Sequence, residues 1–208
     1  MPTTDYELPY WKELSLVAGV DEAGRGAIAG PVFASAVILP LNFINKYGIN
    51  DSKQISAKKR NKLYEIIKNE AVSYSIQSVS NDIIDEINIL QASIMAMNIA
   101  IDNLNYKPKQ LLIDGNYFKN TKIPFTTIIK GDSKCISIAA ASILAKVARD
   151  NFMIEIADKN FPNYKFNSHK GYGVKLHFKK IEEYGICNLH RQSFLKKFNL
   201  RQINAKLF

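Results

Sequence analysis

The chain has 208 residues, 47% of them apolar, which suits one folded domain with its own core and argues against a disordered chain. Lys and Arg number 28 against 19 Asp and Glu, a net charge of +9. The excess is spread along the chain, which fits a polyanionic partner and argues against a disordered basic arm. The two cysteines, Cys135 and Cys187, have neither zinc-site spacing nor the density of a disulfide scaffold, and read as reduced thiols.

In chain order, the first dozen residues are polar and aromatic without a period, and contain no apolar stretch of signal-peptide length. No later apolar run approaches a membrane span by this reading. The expectation is a cytoplasmic monomer that works away from membranes. Residues 16–20 are a short apolar run, read as a buried strand ending at Asp21. After a glycine-rich turn, residues 32–39 read as a second strand, bracketed by Pro31 and Pro40. Residues 56–68 show helical spacing behind a Ser56 N-cap, and residues 72–79 alternate as a third strand. A long helical pattern covers 81–104, with Pro108 beyond it. Residues 110–114 and 125–129 read as the fourth and fifth strands. An Ala-rich helix follows over 137–156, then a helix over 175–184 closed by Gly185. The order predicts an α/β fold: a mixed five-stranded sheet flanked by helices over residues 14–160, with a small helical C-terminal segment over 161–208 packed on it.

Four acids stand at or just after strand ends: Asp21 and Glu22 after the first, Asp114 after the fourth, Asp132 after the fifth. Neighbouring strands lie about 5 Å apart, so such groups can share a cation. Like charges that close repel unless one neutralises them. Hard oxygen donors with no neighbouring His or Cys suit Mg²⁺ or Mn²⁺ rather than zinc. Successive strand residues point to opposite faces, so Asp21 and Glu22 are expected to act together only if Glu22 lies past the regular strand. Any one acid alone reads as a solvated loop end or a cap; Asp132 in particular is placed to cap the Ala-rich helix.

The loop Gly24-Arg25-Gly26-Ala27-Ile28-Ala29-Gly30 has GxGxxxG spacing and leads into a strand, so it fails as a dinucleotide fingerprint, which needs a helix there. It offers close backbone approach and a guanidinium beside the acids. The three histidines are weak signals. His169 and His177 flank Gly171-Tyr172-Gly173 in a basic stretch, where Tyr172 reads equally as a base-stacking residue or a packed loop tyrosine.

Taken together, these blocks resemble the ribonuclease HII family. The resemblance starts at Gly19-Val20-Asp21-Glu22-Ala23-Gly24-Arg25-Gly26 and passes through Asp51-Ser52-Lys53, Ile113-Asp114-Gly115-Asn116 and Lys130-Gly131-Asp132. It continues through residues 139–150 and His169-Lys170-Gly171-Tyr172-Gly173 to His190-Arg191-Gln192-Ser193-Phe194. It implies an RNase H-like fold and endonucleolytic cleavage of the RNA strand of RNA–DNA hybrids, and of single ribonucleotides embedded in duplex DNA. It implies Asp21, Glu22, Asp114 and Asp132 as the catalytic, metal-holding cluster for Mn²⁺ or Mg²⁺. Two ions roughly 3.5–4 Å apart would then act on the scissile phosphate, leaving 5′-phosphate and 3′-hydroxyl ends. Gly24, Arg25 and Gly26 fall on the loop that senses the ribose 2′-OH, and Tyr172 on the aromatic that stacks at the ribonucleotide–DNA junction. Ser52, Lys53 and Lys146 complete the implied nucleic-acid contacts. Ala27 departs from a frequent Pro and Val174 from a frequent Thr, which bears on loop stiffness and one hydroxyl contact. A silent hybrid-binding module, the rival from another class, has no use for four spaced acids. A junction-resolving or integrase-type nuclease has none for the Gly-Arg-Gly loop and Tyr172.

Overall fold

Apolar runs cut by Gly and Pro become the five strands of one sheet in the computed structural model, which describes residues 1–196. The strands are β1 (Val17–Ala23), β2 (Val32–Ile38), β3 (Ser73–Val79), β4 (Gln110–Asp114) and β5 (Phe125–Ile128), in the order β3-β2-β1-β4-β5. β1, β2 and β3 run antiparallel, whereas β4 is parallel to β1 and β5 parallel to β4. The sheet is mixed and five-stranded, as expected.

The helices that flank it are α1 (Leu8–Trp11), α2 (Ala57–Glu70), α3 (Asn81–Asp102), α4 (Ile136–Asn151), α5 (Asp158–Asn160), α6 (Phe166–His169) and α7 (Lys175–Tyr184), and residues 192–196 are helical as well. Strand alternation sorts the core into two layers. Val17, Val37 and Leu112 face α2 and α4, while Ala18, Val20, Ile38 and Leu111 face α3. Each fully buried Leu or Ile here contributes about 1.5–3 kcal/mol. α4 lies closer to β1 than ordinary side chains permit. A Cβ on Gly19 would sit 2.1 Å from the Ser137 carbonyl carbon, so Gly19→Ala would push the helix off the sheet. Ser56 caps α2 as expected, accepting from the Lys59 N–H at 3.3 Å.

Three findings depart from the sequence reading. The aperiodic N-terminus is a strap: Trp11 is buried in the α4-side core, and Glu7 is wholly buried beneath the start of α4. Glu7 Oε1 accepts from the Ser137 N–H (2.9 Å) and hydroxyl (2.7 Å) and from the Cys135 thiol (3.0 Å). The carboxylate that satisfies the N-terminus of α4 is thus Glu7, not Asp132. α3 is broken at Asn88, whose φ of 68° and ψ of 164° are non-helical. Against the expectation that no run approaches a membrane span, α3 is long and apolar enough to cross a membrane by length and composition alone. It packs on the sheet through Ile84, Ala92, Ala96, Met97 and Ala100, with Asn88 interrupting it.

Beyond α4 the chain continues as a π-helical stretch, Phe152–Ala157, before α5. A third apolar cluster joins Ile28 and Ala29 of the glycine loop to Met153, Ala157, Tyr164, Phe166 and Ile181. The C-terminal part therefore packs against the glycine loop. Residues 197–208 of the expected segment lie outside the described residues.

Candidate active site

β1 pairs with β2 as far as Ala23↔Phe33, but with β4 only as far as Val20↔Ile113. Against the sequence expectation, Glu22 does not lie past the strand: it is in register with Ala34. What frees it is the early end of β4, which leaves one edge of β1 open. Although neighbours on a strand alternate between faces, Asp21 and Glu22 both line one cleft of about 440 Å³. Asp114, the last residue of β4, reaches the same cleft. Gly24, Arg25, Gly26, Ser52, Lys53, Lys146 and Tyr172 line it too, so of the candidate catalytic and nucleic-acid-contacting residues only Asp132 is not on its lining. Asp132 is buried on the short 3₁₀ turn Gly131–Ser133, ion-paired to Lys53 Nζ at 3.2 Å. The Lys53 side chain is 77% exposed, so that pair adds little stability.

The cleft acids are poised against one another. Burial, then the charges of Glu22 and Asp114, hold the Asp21 carboxyl well above its usual range; the Ser142 hydroxyl and the Glu22 N–H, at 2.7 Å, act the other way. Burial also raises Glu22, opposed by Arg25 Nη1 at 3.2 Å. Burial raises Asp114, opposed by the Gly131 N–H at 2.6 Å and reinforced by Asp132. Burial would lower Lys53, but Asp132, Asp21 and Asp51 together outweigh it and raise the ammonium. Acids that hold protons this readily are charges in want of a counter-charge. The donors are all carboxylate oxygens, which fits a hard divalent cation. Among the described residues, no three acidic, His or Cys side chains already stand close enough to grip an ion, so the acids rim the cleft as a loose ring.

The glycine loop is held from below by two arginines that sequence reasoning did not single out. Arg149 and Arg191 are both fully buried. Arg149 donates to the carbonyls of Pro31 (3.1 Å), Lys170 (3.0 Å) and Ala29 (3.2 Å). Arg191 donates to Gly30 (2.9 Å), Arg25 (3.1 Å) and Ala27 (2.7 Å). Burial brings the Arg191 guanidinium down to about 9, so it stays cationic at neutral pH. Gly24 must lack a side chain because Arg149 runs under it: a Cβ there would lie 2.0 Å from Nε, at a φ of +99°. Tyr172 bridges Ala27, and its ring lies 5.1 Å from the Arg149 guanidinium and 5.3 Å from Lys146 Nζ. Ser142 was also missed; it touches Asp21 and shares a 3.0 Å hydrogen bond with Ser52.

An acid-rimmed sheet end of this topology, floored by buried guanidinium groups, defines a metal-dependent nuclease of the ribonuclease H class. Residues 18–197 match the family model for Ribonuclease HII. The ribonuclease HII of Chloroherpeton thalassium is 50% identical over 195 residues, covering 91% of this chain and 94% of that protein. That of Pelodictyon phaeoclathratiforme is 46% identical and covers 98% of both. Among solved structures, the RNase HII of Archaeoglobus fulgidus, determined in complex with PCNA, superposes with a TM-score of 0.72 at 25% identity, over 85% of this chain and 93% of that one. The chain belongs to the ribonuclease HII family, and the expected RNase H-like fold is the one observed. With the family come ribonuclease H endonuclease activity on nucleic acid and dependence on a divalent metal.

Proposed function

We propose that the enzyme cuts the RNA strand of RNA–DNA hybrids and the 5′ side of single ribonucleotides embedded in duplex DNA, by two-metal hydrolysis at Asp21, Glu22, Asp114 and Asp132. The observation that carries this reading is the meeting of Asp21, Glu22 and Asp114 with the Gly24–Gly26 loop and Tyr172 in one cleft. Bound there, Mn²⁺ or Mg²⁺ would neutralise charge developing on the scissile phosphate and lower the pKa of the attacking water. The four carboxylates hold those ions, and Asp132 joins them by exchanging its Lys53 partner.

Selectivity belongs to the loop. Arg191 and Arg149 occupy the carbonyls of Arg25, Ala27, Ala29 and Gly30, while the N–H groups of Ile28 and Ala29 go to the Gly171 carbonyl. Among the described residues, the N–H groups of Arg25 and Gly26 and the Gly26 carbonyl have no hydrogen-bond partner, and both residues are exposed. Those free groups read the 2′-OH, the chemical difference between RNA and DNA at a given sugar. A site built to pair a hydroxyl can reject the analogue lacking it by roughly 10⁴–10⁵. Tyr172 stacks on the following sugar, and Lys146, Lys53 and Ser52 contact the backbone.

A labelled DNA duplex bearing one ribonucleotide, incubated with Mg²⁺ or Mn²⁺, tests the reading beside an all-DNA duplex and a long hybrid. Cleavage 5′ of the ribonucleotide and an intact all-DNA duplex are expected. Tyr172→Ala should depress cleavage of the single-ribonucleotide substrate more than that of the hybrid. Comparable cutting of all-DNA duplex, or equal losses in Tyr172→Ala, would overturn it.

A further inference from the structure

We propose that His177 and His190 form a directed hydrogen-bond relay that positions Tyr172, making His177 a positioning residue for cleavage at the ribonucleotide–DNA junction. The proposal rests on the junction-stacking reading of Tyr172 above.

All three histidines of the chain lie in one buried cluster. The His169 and His177 rings stack with centroids 4.2 Å apart, and Phe166 meets both edge-on. Packing alone would leave the ring protons unspecified, but the polar contacts fix every one. His177 Nδ1 lies 3.0 Å from the Tyr172 carbonyl, which can only accept, so Nδ1 carries the proton. His177 Nε2 is then a bare acceptor, and His190 Nε2, 3.0 Å away, must be the donor. That leaves His190 Nδ1 bare, and it accepts the Cys187 N–H at 2.8 Å; the Cys187 carbonyl, 3.2 Å from the same nitrogen, already accepts the His190 backbone N–H at 2.9 Å and needs no ring proton. The chain of donation therefore runs one way: Cys187 N–H to His190, His190 to His177, His177 to the Tyr172 carbonyl. His169 follows the same logic, donating from Nε2 to the Tyr164 carbonyl (2.9 Å) and accepting the Gly171 N–H at Nδ1 (3.2 Å). Residues on both sides of the Tyr172 peptide are thus tied to imidazoles. Burial holds His177 down to about 3 and His190 to about 4, so both rings stay neutral at neutral pH.

The relay ends on the residue whose ring lies over Lys146 and Arg149 at the cleft wall. The Val174 N–H also reaches the Tyr172 carbonyl, at 2.9 Å, so losing the imidazole leaves the turn formed but frees one of its two anchors. The effect should fall on the orientation of Tyr172, and on kcat for the junction substrate rather than on duplex binding.

Two measurements on the full chain test this. In ¹⁵N NMR of the wild-type enzyme, His177 should show the Nδ1–H tautomer, the minor one for free imidazole, and His190 the Nε2–H tautomer. An Nε2–H proton on His177 overturns the relay, and this result stands even if substituted proteins fail to fold. His177→Asn keeps an N–H donor near the Nδ1 position, whereas His177→Gln moves it to the Nε2 position. His177→Gln should lose roughly tenfold in kcat on a duplex with one ribonucleotide, the scale of one lost buried hydrogen bond, with hybrid cleavage near wild type; His177→Asn should restore most of the loss. Equal losses on both substrates, or no difference between the Asn and Gln variants, refute the positioning role. Wild-type enzyme that fails to cut the lone ribonucleotide would instead refute the junction reading, leaving the tautomers to decide the relay.

Discussion

Asp21→Asn should make the metal-free protein more stable while destroying its activity. In the wild type the Asp21 carboxylate is 4% exposed, and burial, Glu22 and Asp114 all disfavour its charge. Two like charges about 5 Å apart repel by about 3 kcal/mol at an effective dielectric of about 20. The amide removes that repulsion, and Asn Oδ1 can still accept the Glu22 N–H that Asp21 accepts at 2.7 Å. For a chain of this size about 1 kcal/mol moves Tm by about 2–4 °C, so partial relief of about 1–3 kcal/mol should raise the metal-free Tm by about 2–12 °C. The gain should shrink as pH falls. A carboxyl raised in the folded state binds protons there more readily than when unfolded, so its penalty grows as pH rises through the folded value and fades below it. Divalent metal should reverse the ranking: an ion at about 100 times its Kd adds about 2.7 kcal/mol to the wild type and little to Asp21→Asn. Scanning calorimetry in EDTA and in Mg²⁺, paired with turnover on hybrid, reads all of this. A lower metal-free Tm in Asp21→Asn, or turnover within the roughly 10–100-fold loss typical of indirect changes around a metal, would refute the reasoning.

Three further outcomes are expected. In EDTA the protein should still bind hybrid, with log K falling steeply against log salt as condensed counterions are released; a flat plot would show that the basic surface is not the docking face. Gly24→Ala should cost about 1–3 kcal/mol of stability and most of the single-ribonucleotide activity, because the new methyl meets Arg149 at a positive φ; wild-type melting and activity would contradict the clamp. Below about pH 6.5 stability should be lost toward about pH 4, because His177 and His190, held near 3 and 4 in the fold, are protonated only on unfolding. Potentiometric measurement of proton uptake on acid unfolding checks this, and no uptake in that window contradicts it.

The strands were legible because Pro31, Pro40 and the glycines bracket short apolar runs, and β4 falls on the residues read from sequence. The cleft was legible because acids recur at the ends of three separate strands beside a Gly-Arg-Gly loop, a combination that no single cap or loop end explains. The limits were equally physical. Whether Glu22 leaves the strand depends on where the partner β4 stops, which is a property of pairing rather than of local sequence. Arg149 in an Ala-rich helix reads as a solvent-facing charge, because nothing local announces that its guanidinium will be spent on carbonyls 118 and 120 residues away in sequence. Glu7 and Trp11 had no period to betray them, and Asn88 breaks α3 inside an otherwise helical pattern.

The sheet order carries a consequence for how the enzyme comes into being. β1, β2 and β3 meet their neighbours antiparallel along the first part of the chain, whereas β4 joins β1 only after α2, β3 and α3 have intervened. The pairing Val20↔Ile113 spans far more chain than the β1–β2 hairpin, and distant pairings form late because their loops must close first. By this reasoning Asp21 and Glu22 belong to an early-forming half and Asp114 to a half that arrives afterwards. The cleft is the seam between them. A nascent or partly folded chain carries the complete DEAGRG block yet has no second wall against which to hold an ion, so a destructive phosphodiesterase exists only once assembly is finished.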